Sequence, residues 1–264
     1  MFFRLLKLVV IFVFAGGASY ETFAQGFDWQ YSARLPFEMP KIYYGAKIGI
    51  NKTSSFGKIT FLENNIICPQ FDKGAGKDFY FNVNLERWLY NNQISILSSV
   101  GYSYNKLKYS FIDLVPISDG INKITAEYED ELNFSYSSIN TSLGAKYRIL
   151  QSHLHVGAAF EFNINFAANY DVVERILGPP EVPPFNTNPP AYEREITAGK
   201  FYKLSFLTVT PKIELGYDLQ LGLGKYITPV ASISLPVMSV IKTDNIRKLD
   251  FSFGVRYLMS NLNL

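Results

Sequence analysis

The chain has 264 residues, a net charge of +2, and 48% hydrophobic and 16% aromatic residues, among them 18 Tyr and 22 Phe. So balanced a charge argues for neither nucleic acid nor a strongly acidic partner, and the single cysteine, Cys68, excludes an internal disulfide. The aromatic content suits the girdles and lipid-facing band of a membrane β-barrel.

Residues 1–24 read as a cleavable signal peptide. Arg4 and Lys7 lead into the apolar run 8–14, a Gly/Ala-rich stretch follows, and Thr22 and Ala24 stand at −3 and −1 before Gln25. The apolar run is far shorter than the roughly 20 residues of a spanning helix, no later segment approaches that length, and no cysteine near the cut offers a lipid anchor. The mature chain is therefore expected to be an exported soluble protein or a closed β-barrel, the only other structure that satisfies its backbone in lipid. Residues 25–41, with Phe27, Trp29, Tyr31 and Phe37, are expected as a periplasmic segment ahead of a barrel at 42–264.

Period-two alternation predicts eight strands, at residues 42–51, 78–90, 93–105, 132–149, 153–167, 203–219, 226–237 and 249–259. In the first, Tyr44, Ala46, Ile48 and Ile50 oppose Tyr43, Gly45, Lys47, Gly49 and Asn51. In the second, Phe79, Phe81, Val83, Leu85 and Leu89 oppose Asn82, Asn84 and Glu86, while Trp88 breaks parity and suggests a bulge or an interfacial aromatic. In the fourth, the apolar parity shifts from Leu132, Phe134 and Tyr136 to Ile139, Thr141, Leu143, Ala145 and Tyr147, so a bulge is expected near Ser137 and Ser138.

The fifth strand is the clearest. Leu154, Val156, Ala158, Phe160, Phe162, Ile164 and Phe166 alternate without a break with His153, His155, Gly157, Ala159, Glu161, Asn163 and Asn165. The eighth repeats the signature, with Leu249, Phe251, Phe253, Val255, Tyr257 and Met259 against Asp250, Ser252, Gly254 and Arg256. Pro211 and Pro229 fall inside the sixth and seventh strands; in a ring without a free edge, each is expected at a bulge or a rim.

By this parse the connections alternate long and short, at about 26, 2, 26, 3, 35, 6 and 11 residues. Short periplasmic turns and long surface loops have that asymmetry, and an even strand number puts both termini in the periplasm. A lipocalin-like barrel would instead carry an apolar interior and a polar exterior.

The inward parity collects Glu86, Glu161, Glu214, Asp218 and Asp250 against Lys47, Lys146, Arg148, Lys212 and Arg256. An eight-stranded barrel is wide enough only for side chains, so these ten are expected to pair as a structural lumen network rather than to form a general acid/base pair. His153 and His155 share a face but have no Cys, Asp or third His beside them in sequence, and are expected to be structural or solvent-exposed. Residues 178–190, with six prolines, are expected as a stiff, polyproline-like surface loop, and residues 127–131 as a solvated acidic loop.

With these elements in place the chain resembles the PorT-like outer-membrane β-barrel proteins of the Bacteroidetes lineage. The resemblance rests on YGAKIGIN at 44–51 as a glycine-rich first strand, SINTSLGAKYRI at 138–149 as a middle strand ending in a basic-aromatic run, and DFSFGVRY at 250–257 as the closing strand. It implies no catalytic residues, and for some members a link to protein secretion across the outer membrane.

The expectation is an all-β protein: an eight-stranded antiparallel up-and-down transmembrane β-barrel in a Gram-negative outer membrane. It is expected to have a filled lumen, a structural, surface-interaction or secretion-accessory role, and neither enzymatic activity, cofactor nor metal. Expected partners are outer-membrane lipid, the barrel-assembly machinery and secretion-complex proteins. A lipid-modifying or proteolytic enzyme would need a Ser/His/acid or paired-carboxylate cluster near the outer rim. A transporter of small apolar molecules would need a lateral opening or an unfilled lumen.

Overall fold

The computed structural model describes residues 41–59, 62–63, 66–67, 71–89, 93–118, 123–149, 152–222, 224–241 and 245–260. The expected signal peptide, the segment ahead of the barrel and Cys68 lie outside the described residues.

Eight long strands build the wall: β1 (Ile42–Ile59), β4 (Phe71–Trp88), β5 (Ile94–Ser118), β6 (Lys123–Arg148), β7 (Leu154–Gly178), β9 (Leu207–Tyr217), β11 (Lys225–Ser234) and β13 (Ile246–Met259). Shorter pieces accompany them: a hairpin of β2 (Leu62–Glu63) and β3 (Ile66–Ile67), then β8 (Glu193–Lys200), β10 (Leu219–Gly222) and β12 (Ser239–Ile241). Each wall strand pairs antiparallel with the next, and β13 returns to β1, from Tyr44 opposite Met259 to Phe56 opposite Arg247. The fold is thus a closed eight-stranded antiparallel barrel.

Across the middle of the wall the alternating pattern separates two solvents. Ile48 and Ile50 of β1, Phe79, Phe81 and Val83 of β4, Phe160, Phe162 and Ile164 of β7, and Phe253 and Val255 of β13 are exposed. Their neighbours Lys47, Asn82, Asn165 and Arg256 are buried. An exposed apolar band around a polar, buried interior is stable only if the band faces hydrocarbon, so the barrel is a transmembrane one. The short connections at 90–93, 149–153 and 223–224 share one end with the start of β1 and the end of β13. We call this the turn end.

At the opposite end the structure departs from the expected loops. β5, β6 and β7 run for 25, 26 and 25 residues, and β5 and β6 stay in one register from Ile94 opposite Tyr147 to Ser118 opposite Lys123. The stretch expected as a 26-residue loop is therefore strand, with only 119–122 connecting, and the acidic run 127–131 lies within β6. β8 adds to β7 along Asn169–Arg175, so a four-stranded sheet, β5–β6–β7–β8, rises past the rim.

The expected bulge at Ser137 and Ser138 is corrected as well. β6 is regular there against β5, and the irregularity belongs to β7, where Ala167 adopts φ 50° and the register shifts between Ser135 and Ser137. Leu132, Phe134 and Tyr136 do not point outward. They are buried inside with Ile59, Phe71, Leu107, Tyr109, Val172, Ile241 and Ile246 in an apolar cluster that caps the lumen. Burial of a side chain such as Phe134 contributes about 1.5–3 kcal/mol.

Residues 178–190 are not an extended loop either. Val182 donates to the Pro179 carbonyl at 3.0 Å, Phe185 bridges Ala191, and Val182 packs buried against Ala126 and Ile176. The segment folds down on the apolar side of the rising sheet.

Pro211 and Pro229, expected at a bulge or a rim, share one interface. The Asp218 N–H points to the His153 carbonyl, 2.9 Å away on the β7 side, so the alternation of an antiparallel strand turns Tyr217 toward β11. Opposite Tyr217 stands Pro229, which has no N–H to give, and here the strand is interrupted between β9 and β10. The Pro211 carbonyl accepts the Leu235 N–H at 2.8 Å, but Pro211 returns nothing. Past it the backbone ladder stops, and the Val209 N–H finds only Met238 Sδ, at 3.2 Å.

Candidate functional site

All ten charged residues expected in the lumen project into it, and each meets an opposite charge. Nearest the turn end, Lys146 Nζ lies 2.9 Å from Glu86 Oε1 and 3.1 Å from Asp218 Oδ2, and Arg148 Nη2 lies 3.0 Å from the same Asp218 oxygen. Ser95 donates to the same Glu86 oxygen at 2.6 Å, and Thr228 donates to Asp218 Oδ1 at 2.8 Å. Trp88 is the floor of this cluster. Its ring lies 4.1 Å from the Arg148 guanidinium carbon and 4.9 Å from Lys146 Nζ, so the residue that broke parity in sequence is an inward cation–π platform.

At mid-depth Glu214 accepts from Lys47 at 3.0 Å and from Arg256, while Lys212 pairs with Glu161 at 3.2 Å. The Tyr80 ring lies 5.6 Å from both lysines. It fits because Gly49 and Gly254 face each other across β1 and β13, and a Cβ on either would collide with the Tyr80 hydroxyl. Toward the sheet end Lys248 meets Asp78 at 2.7 Å and Asp250 at 3.5 Å, and the Thr53 hydroxyl lies 2.8 and 2.6 Å from the two carboxylates and donates to one of them at a time.

Asp78 and Lys248 were not among the ten. Both stand on the inward parity of their strands, so the signal existed, but the expected start of the last strand at 249 cut Lys248 off. With them the described lumen holds six cationic and six anionic side chains. His155 is also interior: fully buried, 3.5 Å from Asp218 Oδ1, seated where Gly216 leaves room. His153 is exposed and tilts against Tyr217, so the two histidines do not share a site.

The space left over is small. A cavity of about 40 Å³ is lined by Asn51, Tyr80, Asn82, Asn140, Asn163 and Lys212 among others, and a second of about 30 Å³ lies beside Lys47 and Glu214. Each is large enough for a few water molecules.

Comparison with known proteins adds similarity of shape alone. No protein-family model matches the chain, and no curated protein does. Among solved structures, it is similar to the outer membrane protein OprG from Pseudomonas aeruginosa, with 7% identity, a TM-score of 0.41, and 85% of this chain and 99% of that one covered. The outer membrane protease OmpT from Escherichia coli matches at 9% identity and TM-score 0.37, over 87% and 99% of the two chains. Ail of Yersinia pestis, solved with the heparin analogue sucrose octasulfate, matches at 10% identity and TM-score 0.32, over 83% and 99%.

Chemically, the lumen geometry favours static pairing. Every carboxylate in it is held by a cation within 3.5 Å, and around His155 the described partners are carboxylates rather than a hydroxyl nucleophile. Among the described residues no cluster of three metal-ligating side chains occurs. The rising sheet carries titratable groups of its own. There burial pushes Asp130 up to about 6, reinforced by Glu174 and Asp113 and opposed by Arg194. Burial also pulls Glu131 upward, but hydrogen bonds from Lys108 and Asn133 outweigh it and hold this carboxyl below its usual value.

Proposed function

We propose that this chain is an integral outer-membrane barrel of a Gram-negative bacterium, non-catalytic, with both termini periplasmic and the four-stranded sheet outside the cell. The lumen is a structural core, and the exposed sheet is the working surface of an interaction or secretion-accessory role; some of the PorT-like proteins the sequence resembles are linked to protein secretion. One observation carries this reading: the paired charges fill the barrel at membrane depth and the apolar cluster around Phe134 caps it. Planar-bilayer recordings of the refolded chain test it. The expected result is no steady conductance; large, stable, porin-like steps would overturn the filled lumen.

A second reading, passage of small apolar molecules, is favoured by the interface of β9 and β11. There the backbone ladder stops at Pro211, and Leu235, Pro236 and Met238 line the larger cavity. Uptake of an apolar dye by vesicles carrying the protein, abolished by a disulfide engineered across that interface, would support it.

A further inference from the structure

Lys52 of β1, Lys77 of β4 and Lys106 of β5 stand side by side on the outer surface. Lys52 is directly opposite Lys77, and the register that sets Gly76 against Leu107 and Phe79 against Tyr104 sets Lys77 against Lys106. All three are exposed, and among the described residues no carboxylate pairs with any of them. Each lies two residues beyond the apolar band, above Ile50, Phe79 and Tyr104, toward the sheet end. Two tiers further out, Lys73 and Arg247 flank Phe56 on its two neighbouring strands.

Like charges placed directly opposite on adjacent strands, with side chains about 5 Å apart, repel one another. Three in a row attract an anion, which relieves that repulsion. Their position says which anion. The lysine stems lie along the edge of the hydrocarbon band, so the ammonium groups reach the depth of lipid headgroups rather than open water. An ammonium is a point-charge partner for phosphate and needs no fixed fork geometry.

We propose that Lys52, Lys77 and Lys106 form a clamp for the phosphate of a phosphorylated lipid in the leaflet at the sheet end. The clamp rests on the transmembrane reading of the barrel. It holds one class of lipid against one third of the wall and fixes the height at which the barrel sits.

The test uses the full chain refolded into phosphatidylcholine vesicles doped with phosphatidic acid, with retained lipid counted by native mass spectrometry after extraction. Wild-type protein is expected to keep phosphatidic acid. Lys52→Gln/Lys77→Gln/Lys106→Gln is expected to lose it, at roughly fivefold per lysine, on the order of 100-fold in all. The triple Lys→Arg variant should keep it, and Arg87→Gln/Lys225→Gln, two exposed cations at the turn end, should behave as wild type. Equal retention by wild type and the triple Gln variant would overturn the clamp, as would release of the lipid by inorganic phosphate, which would make the site one for a free anion. Gel mobility of unheated against boiled samples reports separately whether each variant is a folded barrel. Loss of that difference in wild type would sink the transmembrane reading and not the clamp alone.

Discussion

The inside of this barrel is two different interiors. At membrane depth it is polar and charged, as around Glu214, Lys47 and Arg256; beyond the band it is apolar, as around Phe134, Tyr109 and Ile246. Strand parity is the same in both, since β5 and β6 run through without a break. What changes is the medium on the other side of the wall. Against hydrocarbon the apolar residues face out and the barrel must satisfy its charges internally; against water the ordinary rule returns and the apolar residues face in.

The comparison breaks most sharply at the charged interior. Arg256 is fully buried, and Arg256→Met leaves Glu214 with one fewer cation in a closed space, so refolding titrations in lipid vesicles should show a loss of about 3–5 kcal/mol. In the apolar interior Phe134→Ala should cost about 3–4 kcal/mol by opening a cavity beside Tyr136 and Phe201. Hydrogen exchange should show that loss concentrated in the sheet end, with the membrane-depth amides still protected. Uniform deprotection would mean the two interiors form one cooperative unit.

The outer face gives a third contrast. Phe160, 58% exposed at mid-depth on β7, should not accept a charge: Phe160→Arg is expected to cost about 2–4 kcal/mol. Asn163, on the opposite parity of the same strand and lining the larger cavity, should tolerate Asn163→Ser at a cost on the order of 1 kcal/mol or less. Equal damage from both would contradict the assignment of faces.

The smallest effect concerns Asp130, which faces Asp113 of β5, Glu174 of β7 and Arg194 of β8. Burial raises its folded pKa to about 6 from 3.8, so the fold disfavours the ionised form. Its contribution to stability is therefore best below about pH 4 and is lost as pH rises through about 6. Because this carboxyl is only partly buried, water screens the effect. Rate-corrected hydrogen exchange in β6–β8 should lose protection between pH 4 and 7 in wild type, and less in Asp130→Asn.

The strand count and the lumen charges were legible because strict alternation carries them: Glu161 stands between Phe160 and Phe162, and no other reading fits both faces. What failed was the assumption that apolar parity always means lipid. Leu132, Phe134 and Tyr136 kept their parity while the solvent outside changed, and a sequence shows parity without showing where the membrane stops. The same assumption shortened β5, β6 and β7 and left their upper halves as loops. Lys52, Lys77 and Lys106 mark that boundary in the sequence, as the first outward charges after each apolar run. The role of Trp88 was hidden because its cationic partners, Lys146 and Arg148, come from a strand about sixty residues further along.

A ring has no loose end from which to come apart, and in an ideal barrel every joint would be as hard to part as the next. Here Pro211 and Pro229 withhold donors from the same joint, and the Val209 amide is left to a methionine sulfur. That breaks the circular equivalence and gives the cylinder a hinge line. Under strain it is where the wall would unzip first, with β9 on one lip and β11 on the other.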